Sequence, residues 1–365
     1  MRIAVVSTPV FPVSDPSGTS GYAGLEVIAY HCARGLAAKG HKVKLITPDG
    51  STCYGVEVVP IGPAGRISEE MAWGGFSEMQ HDGKVLRQAH PGYWQQLLDV
   101  DVVIDHSWQK YSYLLKAEGR IKCPVLGVLH APVNTMYQSL PPVEKPCMVC
   151  ISDDQRAHFE GLFGRPARTC HNGIDLDFYR PLDTPRTDRF LFLARFSSIK
   201  GPDIAIAAAK KLGIGLDLIG DQSITNEPAY LEQCKAMAAE APMVNLVGPC
   251  SRAESVWWFS RAHCMLHPNQ RFREPLGLAP LESQAAGAPV IAWNFGAMRE
   301  TVVDGETGQL VNSVDEFEDA VRKWSEPISD QIRKRCRENA SRFSIPRMVS
   351  RYEELAVEAT EGGGW

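Results

Sequence analysis

The stretch from Cys264 to Trp293 alternates two short apolar segments with one helical segment, and this order restricts the fold strongly. Cys264–Pro268 and Val290–Trp293 have the length and composition of buried strands. Between them, Pro275 suits the first turn of a helix, and Gly287 ends that helix. A strand, a helix and a strand in this order favour a parallel sheet that is covered by helices.

The same alternation recurs along most of the chain. Further strands are predicted at Ile3–Ser7, Lys42–Thr47, Val56–Ile61, Met148–Ser152, Phe190–Phe196, Leu216–Gly220 and Val244–Gly248, with helices that include Leu25–Lys39, Asp203–Leu212 and Pro228–Ala239. A chain of 365 residues has the length of about two domains. We therefore predict an α/β fold with Rossmann-like domains at 1–180 and 181–342, followed by a final helix within 343–365.

Composition excludes several classes of protein. With 38 basic and 43 acidic residues, the net charge of −5 argues against nucleic-acid binding. There is no apolar run of membrane-spanning length, so we expect at most peripheral contact with a membrane. Ten cysteines are scattered, mostly within apolar segments, which favours buried thiols and a cytoplasmic location. Cys147 and Cys150 have redox or zinc spacing, but a second pair is missing and a strand is the better interpretation.

Two carboxylates flank the predicted start of the helix in the first stretch. Glu274 lies in the strand-to-helix loop, and Glu282 is predicted about two turns into the helix. Gly277 permits close approach to main-chain N–H groups, and free N–H groups at a helix start attract phosphates. Beside such an anion site, Glu274 can accept sugar hydroxyls and Glu282 can accept ribose hydroxyls. The alternative is an ordinary loop in which Glu274 is solvated and Glu282 lies on the surface.

Other polar residues also follow predicted strands. Arg195 and Lys200 lie in one strand-to-helix loop, where two cations suit a pyrophosphate, unless both are merely solvated. His106 and His130 end two strands of the first half, where ligands of open α/β sheets bind, although a lone histidine there is more often structural. The basic run Arg333–Arg337 is most simply a solvated helix face.

Four segments, in this order, resemble retaining glycosyltransferase family 4, which has the GT-B fold. They are Tyr22–Glu26, similar to the family's Y-G-G-x-E; His171–Asp175, similar to N-G-V/I-D; Arg195–Gly201, similar to R-x4-K-G; and Glu274–Glu282, similar to E-x7-E. The resemblance covers nearly the whole chain. Ala23 replaces the first glycine of the first motif.

The resemblance implies two Rossmann-like domains that face each other across a cleft, with the last helix crossing back to the first domain. It implies catalytic roles for Glu274, Arg195, Lys200 and His130. The donor-binding residues that it implies are Gly21, Gly24, Gly220, Val247, Leu276, Gly277, Leu278 and Glu282. The candidates on the acceptor side are His106, Trp73 and Trp94, although the two tryptophans have packing as an alternative role.

The function implied is transfer of a sugar, with retention, from a nucleotide-sugar to a hydroxyl of a sugar, a lipid-linked or a small-molecule acceptor. No cofactor and no metal ion are expected. Asp175 and Asp177 spell the D-x-D metal motif of another glycosyltransferase fold, but an Asn-Gly turn precedes them and a turn role is favoured. The alternatives are a sugar phosphorylase or nucleotide-sugar epimerase of the same fold, and a non-catalytic nucleotide-sugar binding module.

Overall fold

The computed structural model describes residues 1–8, 11–18, 24–64, 93–108, 110–133, 143, 145–220 and 227–365. These residues form two compact units. Unit 1 comprises the described residues within Met1–Pro16, Ala23–Gly173 and Ile345–Trp365, and unit 2 comprises those within Ser17–Tyr22 and Ile174–Ser344. All ten cysteines are free thiols. A search of the described ranges finds no helix that is both long and apolar enough to span a membrane.

Unit 1 is built on a parallel sheet. Its strands are β1 (Arg2–Val6), β2 (Lys42–Thr47), β3 (Glu57–Pro60), β4 (Val102–Asp105), β5 (Val125–Leu129), β6 (Met148–Cys150) and β7 (Arg168–Thr169). Among the described residues these seven strands pair in the order β3-β2-β1-β4-β5-β6-β7. Helices α1 (Gly24–Ala38), α2 (Tyr111–Ala117) and α3 (Asp153–Phe163) connect the strands. The direction of strand addition reverses between β1 and β4, which creates a crevice at their carboxyl ends.

Unit 2 repeats this plan. Its strands are β8 (Phe190–Leu193), β9 (Leu216–Ile219), β10 (Val244–Gly248), β11 (Met265–His267), β12 (Val290–Trp293) and β13 (Gly308–Val311). In the described part of the chain they form a six-stranded parallel sheet of order β10-β9-β8-β11-β12-β13. Its helices are α4 (Pro202–Leu212), α5 (Pro228–Ala239), α6 (Arg252–Arg261), α7 (Leu278–Ala285), α8 (Met298–Thr301), α9 (Val314–Lys323) and α10 (Asp330–Ala340). Here the reversal falls between β8 and β11.

The predicted α/β class with two parallel sheets is confirmed, but two local predictions were wrong. Helix α7 begins at Leu278, after Gly277 in a left-handed conformation (φ +82°), so Pro275 lies outside the helix. Glu282 is therefore only about one turn into the helix. Strand β8 ends at Leu193 rather than at the predicted Phe196, and Arg195 lies in the loop that follows it.

The chain changes units between Gly173 and Ile174, not at the predicted boundary after residue 180. Tyr179 shows why: its side chain is 1% exposed, its ring packs 6.1 Å from that of Phe259, and its hydroxyl accepts a hydrogen bond from Arg252. All three residues belong to unit 2. The chain returns to unit 1 between Ser344 and Ile345, close to the predicted boundary at 342.

The C-terminal helix α11 (Ile345–Glu361) packs on unit 1. Its buried residues recur at helical spacing, which gives it one apolar face. They are Met348, Val349, Tyr352, Leu355, Ala356 and Ala359. Polar contacts fix the helix at its edges: Glu353 accepts from Lys39 at 2.7 Å and pairs with His41 at 2.8 Å, and Glu358 accepts from Arg168 at 2.7 Å.

We predict that Gly173→Ala destabilises unit 1 by roughly 1–3 kcal/mol, as overpacking does. A Cβ at position 173 would lie 2.7 Å from the Cα and 2.9 Å from the main-chain nitrogen of Ile345, atoms that cannot move without shifting α11. Urea unfolding followed by circular dichroism measures this change.

Gly161→Ala is the matched control, because a Cβ there meets no atom within 4 Å and the position is helical. It should stabilise the protein by about 0.5–1 kcal/mol. Equal stability of the two variants would show that the start of α11 does not pack against Gly173 in solution.

Candidate active site

The candidate site of unit 2 lies where the strand order reverses. The loop after β8 carries Arg195 and Lys200, and the loop after the neighbouring strand β11 carries Glu274. Gly201 adopts φ +71°, and a Cβ there would lie 2.8 Å from the carbonyl oxygen of Pro268. Glycine at this position therefore permits the close approach of the two loops.

A buried ion pair joins these two loops. Lys200 Nζ lies 2.5 Å from Glu274 Oε2, and the side chains are only 11% and 10% exposed. The same oxygen accepts a hydrogen bond from Asn269 Nδ2 at 3.0 Å, and His267 Nε2 lies 3.6 Å away. Burial alone would raise the pKa of the Glu274 carboxyl, but the charge of Lys200 and the adjacent His267 outweigh it and hold that pKa well below its usual range. Glu274 is therefore a carboxylate at neutral pH.

The main chain of Glu274 is fixed as firmly as its side chain. Its carbonyl oxygen accepts from the N–H of Ala297 at 3.0 Å. Gly296 adopts φ +67°, and a Cβ there would lie 2.6 Å from the oxygen and 2.7 Å from the nitrogen of Glu274. Only glycine fits this contact, so the loop after β12 supports the loop after β11.

Glu282 is also buried, at 7% exposure, and is paired within unit 2. Arg252 Nη2 lies 3.3 Å from Glu282 Oε1 and donates to the Tyr179 hydroxyl at 2.7 Å. Burial lowers the pKa of Arg252, but Glu282 and Tyr179 raise it more, and its net shift is upward. Because Glu274 and Glu282 are both buried, the alternative of a solvated and a surface carboxylate is wrong.

Helix α7 carries Glu282 and begins beside the ion pair. Leu276 is 1% exposed, Gly277 is the N-cap residue, and Leu278 is the first helical residue. The first N–H groups of a helix have no partner within it, and together with the helix dipole they favour an anion at this end.

Three arginines hold the other end of α7, which corrects the prediction of a solvated face for Arg333 and Arg337, whereas Lys334 and Arg335 between them are exposed as predicted. Arg337 Nη1 donates to Ala285 O at 2.5 Å, Arg186 Nη2 to Ala286 O at 2.7 Å, and Arg333 Nη1 to Gly287 O at 3.2 Å. Burial lowers the pKa of Arg186 to about 10. Cations at a helix C-terminus complement its dipole and satisfy its last carbonyl groups.

Three polar atoms on or beside the two loops of the ion pair are buried and have no hydrogen-bond partner within the described ranges. Two of them are Ser197 Oγ and Asn269 Oδ1 on the loops, and the third is His267 Nε2 at the end of β11, which has no partner within hydrogen-bond distance although it lies 3.6 Å from Glu274 Oε2. Buried polar groups normally have partners, so orphaned groups around a charged pair call for an explanation. Groups of this kind suit a polar ligand such as a sugar or a phosphate.

The remaining donor-side candidates divide between the two units. Gly220 and Val247 lie at the carboxyl ends of β9 and β10, and the N–H of Gly220 donates to Gly248 O at 2.9 Å. Val247 is 39% exposed. Gly24 is the first residue of α1 in unit 1. Gly21 and Trp73 lie outside the described residues.

The unit 1 candidates His106 and His130 directly follow β4 and β5, and their rings meet. His106 Nδ1 and His130 Nε2 are 2.9 Å apart. Burial, and then the charge of Lys110, lowers the pKa of His106 to about 3. Burial, and then His106 and Lys110, hold the pKa of His130 well below its usual value. Lys110 was missed by the sequence analysis, because a single lysine in a polar loop carries no signal.

Two other candidates have structural contacts. Trp94 packs against the hydrophobic core of unit 1, with the guanidinium of Arg120 5.7 Å from its ring centroid. Asp175 Oδ1 accepts from the N–H groups of Asp177 and Phe178 at 3.1 and 3.0 Å. This is a turn motif, as favoured from the sequence.

Two family descriptions match the chain in succession. The family described as "Glycosyltransferase Family 4" matches residues 22–178, and "Glycosyl transferases group 1" matches residues 181–343. The chain belongs to the group 1, family 4 glycosyltransferases and is a glycosyltransferase, as the sequence motifs predicted.

Individual relatives agree with this class. The D-inositol 3-phosphate glycosyltransferase of Kribbella flavida is 26% identical, over 100% of this chain and 92% of its own length. Sucrose-phosphate synthase from Thermosynechococcus elongatus has a similar structure, with a TM-score of 0.77, 18% identity and 99% of both chains covered. Anabaena HepE in complex with UDP and glucose aligns with a TM-score of 0.72 at 15% identity, over 97% of this chain and 98% of its own. The two structures support the GT-B fold.

We predict that Lys200→Met destabilises the protein at neutral pH by about 3–5 kcal/mol, because it leaves the Glu274 charge buried without its cation. The folded-state pKa of Glu274 is depressed, so its contribution is complete above the unfolded pKa and is lost as the pH falls through the folded pKa. In the variant, burial without the cation raises the pKa of Glu274, so the gap in unfolding free energy should begin to narrow as the pH falls below that raised pKa. It should narrow further below about pH 4.5, where wild type loses its own contribution. Urea unfolding of both proteins at pH 7, 5 and 4 measures this difference in the free energy of unfolding.

Lys210→Met is the control. Lys210 pairs with Glu240 at 2.8 Å, but the side chains are 50% and 71% exposed, so little change is expected. If Lys200→Met unfolds like this control at pH 7, the ion pair between Lys200 and Glu274 is not a structural element of the folded protein.

Proposed function

We propose that this glycosyltransferase moves a sugar from a nucleoside diphosphate sugar to an acceptor hydroxyl, with retention at the anomeric carbon and without a metal ion. One observation carries the proposal: a buried ion pair, Lys200–Glu274, lies beside the N-terminus of α7 where the strand order of unit 2 reverses. The helix N-terminus and the cations of the loop after β8 can bind a diphosphate, and the carboxylate can accept the hydroxyls of a sugar. The complexes of HepE with UDP and UDP-glucose support a donor of this class.

The leaving diphosphate requires positive charge. Lys200 and Arg195 lie in one loop at the carboxyl end of β8, and the amides of Gly277 and Leu278 stand at the start of α7. Groups that are already in place stabilise developing charge without reorganisation. Since these groups supply the positive charge, we propose that no metal ion is needed.

The two carboxylates take different parts of the donor. Glu274 is ionised and held by its main chain and by Asn269, so its oxygens can accept hydroxyls of the transferred sugar. Glu282 lies one turn further along α7 and is held by Arg252, which suits an acceptor for ribose hydroxyls. Fixed acceptors position the anomeric carbon, and positioning contributes strongly to rate.

We infer retention from the bases that are available near the strand ends of unit 1. An inverting reaction needs a general base opposite the leaving group. The candidates are His106, His130 and Asp105, but Asp105 is fully buried and accepts from Ser107 N–H and Oγ–H at 2.9 and 2.5 Å. In a front-face reaction the departing phosphate, held by Lys200, takes the acceptor's proton on the same face. His130 then contacts the sugar and no protein base is required.

We expect the two carboxylates to separate in kinetics. Glu282→Ala should weaken binding of the nucleoside diphosphate by about 1.5–3 kcal/mol, the value of a charge-assisted hydrogen bond. Glu274→Ala should leave that binding nearly normal and mainly lower kcat. Calorimetry with the diphosphate and steady-state kinetics with the donor measure the two effects.

Glu318→Ala is a matched control, because Glu318 is 8% exposed and pairs with Lys211 at 2.5 Å on α9 and α4. It should change neither quantity, which separates loss of a buried carboxylate from loss of a ligand contact. Weak diphosphate binding by Glu274→Ala with normal binding by Glu282→Ala would reverse the two assignments.

We also expect an α-linked donor to give an α-linked product at an undiminished rate in EDTA. A panel of UDP-, GDP- and ADP-sugars with sugar, inositol phosphate and lipid-linked acceptors identifies the substrates by release of the diphosphate. Proton NMR of the first-formed product then reads the anomeric coupling. A β-linked product would refute retention, and activity lost in EDTA but restored by Mn²⁺ or Mg²⁺ would refute metal independence.

A further inference from the structure

A lysine is fully buried at the carboxyl ends of β4 and β5 in unit 1. Lys110 is 2% exposed and adopts a left-handed main-chain conformation (φ 48°) immediately before α2. Its ammonium donates to the carbonyl oxygens of Val128 at 2.6 Å, Asp105 at 3.2 Å and Ser107. The side chain therefore ties the end of one strand to the end of the next.

The three residues that supply these carbonyls are close neighbours of the two histidines in the sequence. Asp105 and Ser107 are the neighbours of His106, and Val128 is two residues before His130. A buried ammonium is costly unless several hydrogen bonds compensate it, and here three main-chain carbonyls do so. The carbonyl cage thus fixes a positive charge beside the His106–His130 pair.

The hydrogen bond between the two neutral histidines can run in either of two directions. Either His106 Nδ1–H donates to His130 Nε2, or His130 Nε2–H donates to His106 Nδ1. His106 Nε2 is buried and has no partner in the part of the chain that the structure describes. The second arrangement would place an N–H there without an acceptor, and buried orphan N–H groups are rarer than orphan acceptors. The first is therefore favoured, and it puts the proton of His130 on Nδ1.

We propose that Lys110 is a positioning residue that, together with burial, keeps the His106–His130 pair neutral, and that the direction of the hydrogen bond within the pair makes His130 offer an Nδ1–H donor to the substrate. The part that concerns substrate rests on the proposed function; the protonation state does not. A donor of this kind can bind a sugar hydroxyl oxygen but cannot remove a proton from an acceptor.

The other groups around the pair do not oppose this effect. Asp105 directs its carboxylate to Ser107 and to the N–H of Ser112, and only its carbonyl oxygen contacts Lys110. Tyr352 of α11 meets the His106 ring edge-on at 5.4 Å, and burial raises its pKa well above the usual value, so it stays neutral. Burial lowers the pKa of Lys110 to about 8, partly offset by Asp105, so the ammonium persists at neutral pH.

The test is long-range ¹H–¹⁵N NMR of the full chain with ¹⁵N-labelled histidine, between pH 5 and 8. His106→Gln and His130→Gln assign the signals. We expect His106 and His130 to carry their protons on Nδ1 and not to titrate in this range. A proton on His106 Nε2, or titration of either histidine near its ordinary pKa of about 6.5, would overturn the proposal.

Lys110→Met removes the charge, and Lys110→Gln removes the charge while keeping an NH₂ group that can donate to the carbonyls. In whichever variant folds, the pKa of His130 should rise into the measured range, while burial, the larger cause, still holds it below its ordinary value. Lys116→Met is the matched control, because Lys116 lies on α2, which begins directly after Lys110, and also donates to a main-chain carbonyl, that of Cys123, at 2.9 Å.

The outcomes separate the proposal from the function it builds on. Histidine signals in both Lys110 variants that match wild type would overturn the role of Lys110, whatever the activity. Raised histidine pKa values in those variants, but not in Lys116→Met, support it even if no glycosyl transfer is found.

Discussion

The buried ion pair between Lys200 and Glu274 is the interaction on which the candidate site depends. Each residue lies in a loop that follows a central strand of unit 2, and the strands β8 and β11 are neighbours only because the strand order reverses there. Separation of the pair would leave two charges with about a tenth of their side-chain surface exposed. Because unpaired buried charges destabilise a protein strongly, the ion pair holds the two loops together and keeps Glu274 ionised.

Helix α7 is held from three sides around this pair. Arginines bind its last carbonyl groups, Gly296 supports the loop before it, and Gln284 joins a buried amide network. Asn339 Nδ2 donates to Gln284 Oε1 at 2.8 Å and to Thr301 O at 2.8 Å. Few of these groups would touch a substrate, yet together they fix the helix N-terminus and Glu282 relative to Lys200.

The two units place charge differently at corresponding edges of their sheets. In unit 2 a lysine and a carboxylate neutralise each other at the carboxyl ends of the strands. In unit 1 the buried Lys110 is bound by carbonyl groups, and its positive charge is left to act on neighbouring histidines. The first arrangement keeps Glu274 ionised, and in the second the buried ammonium adds to the effect of burial in lowering the pKa values of the two imidazoles.

Sequence patterns predicted much of the fold, because local periodicity and Gly-Pro punctuation determine strands and helices locally. The α/β class, the two parallel sheets and α5 at Pro228–Ala239 followed from such patterns, whereas the family was identified by its resemblance to four short motifs. Helix α7 was predicted one turn too early, since Pro275 suits a helix start but the left-handed Gly277 sets the actual one.

The sequence by itself determined which polar residues follow the carboxyl end of a strand. These are Arg195, Lys200, Glu274 and the two histidines. It could not show that Lys200 binds Glu274, that Arg252 binds Glu282, or that Lys110 lies among three carbonyls. These contacts join residues that are distant in the chain or that differ in no visible way from solvated ones. Only tertiary packing removed the water around them, and that desolvation makes such charges fix one another's positions and protonation states.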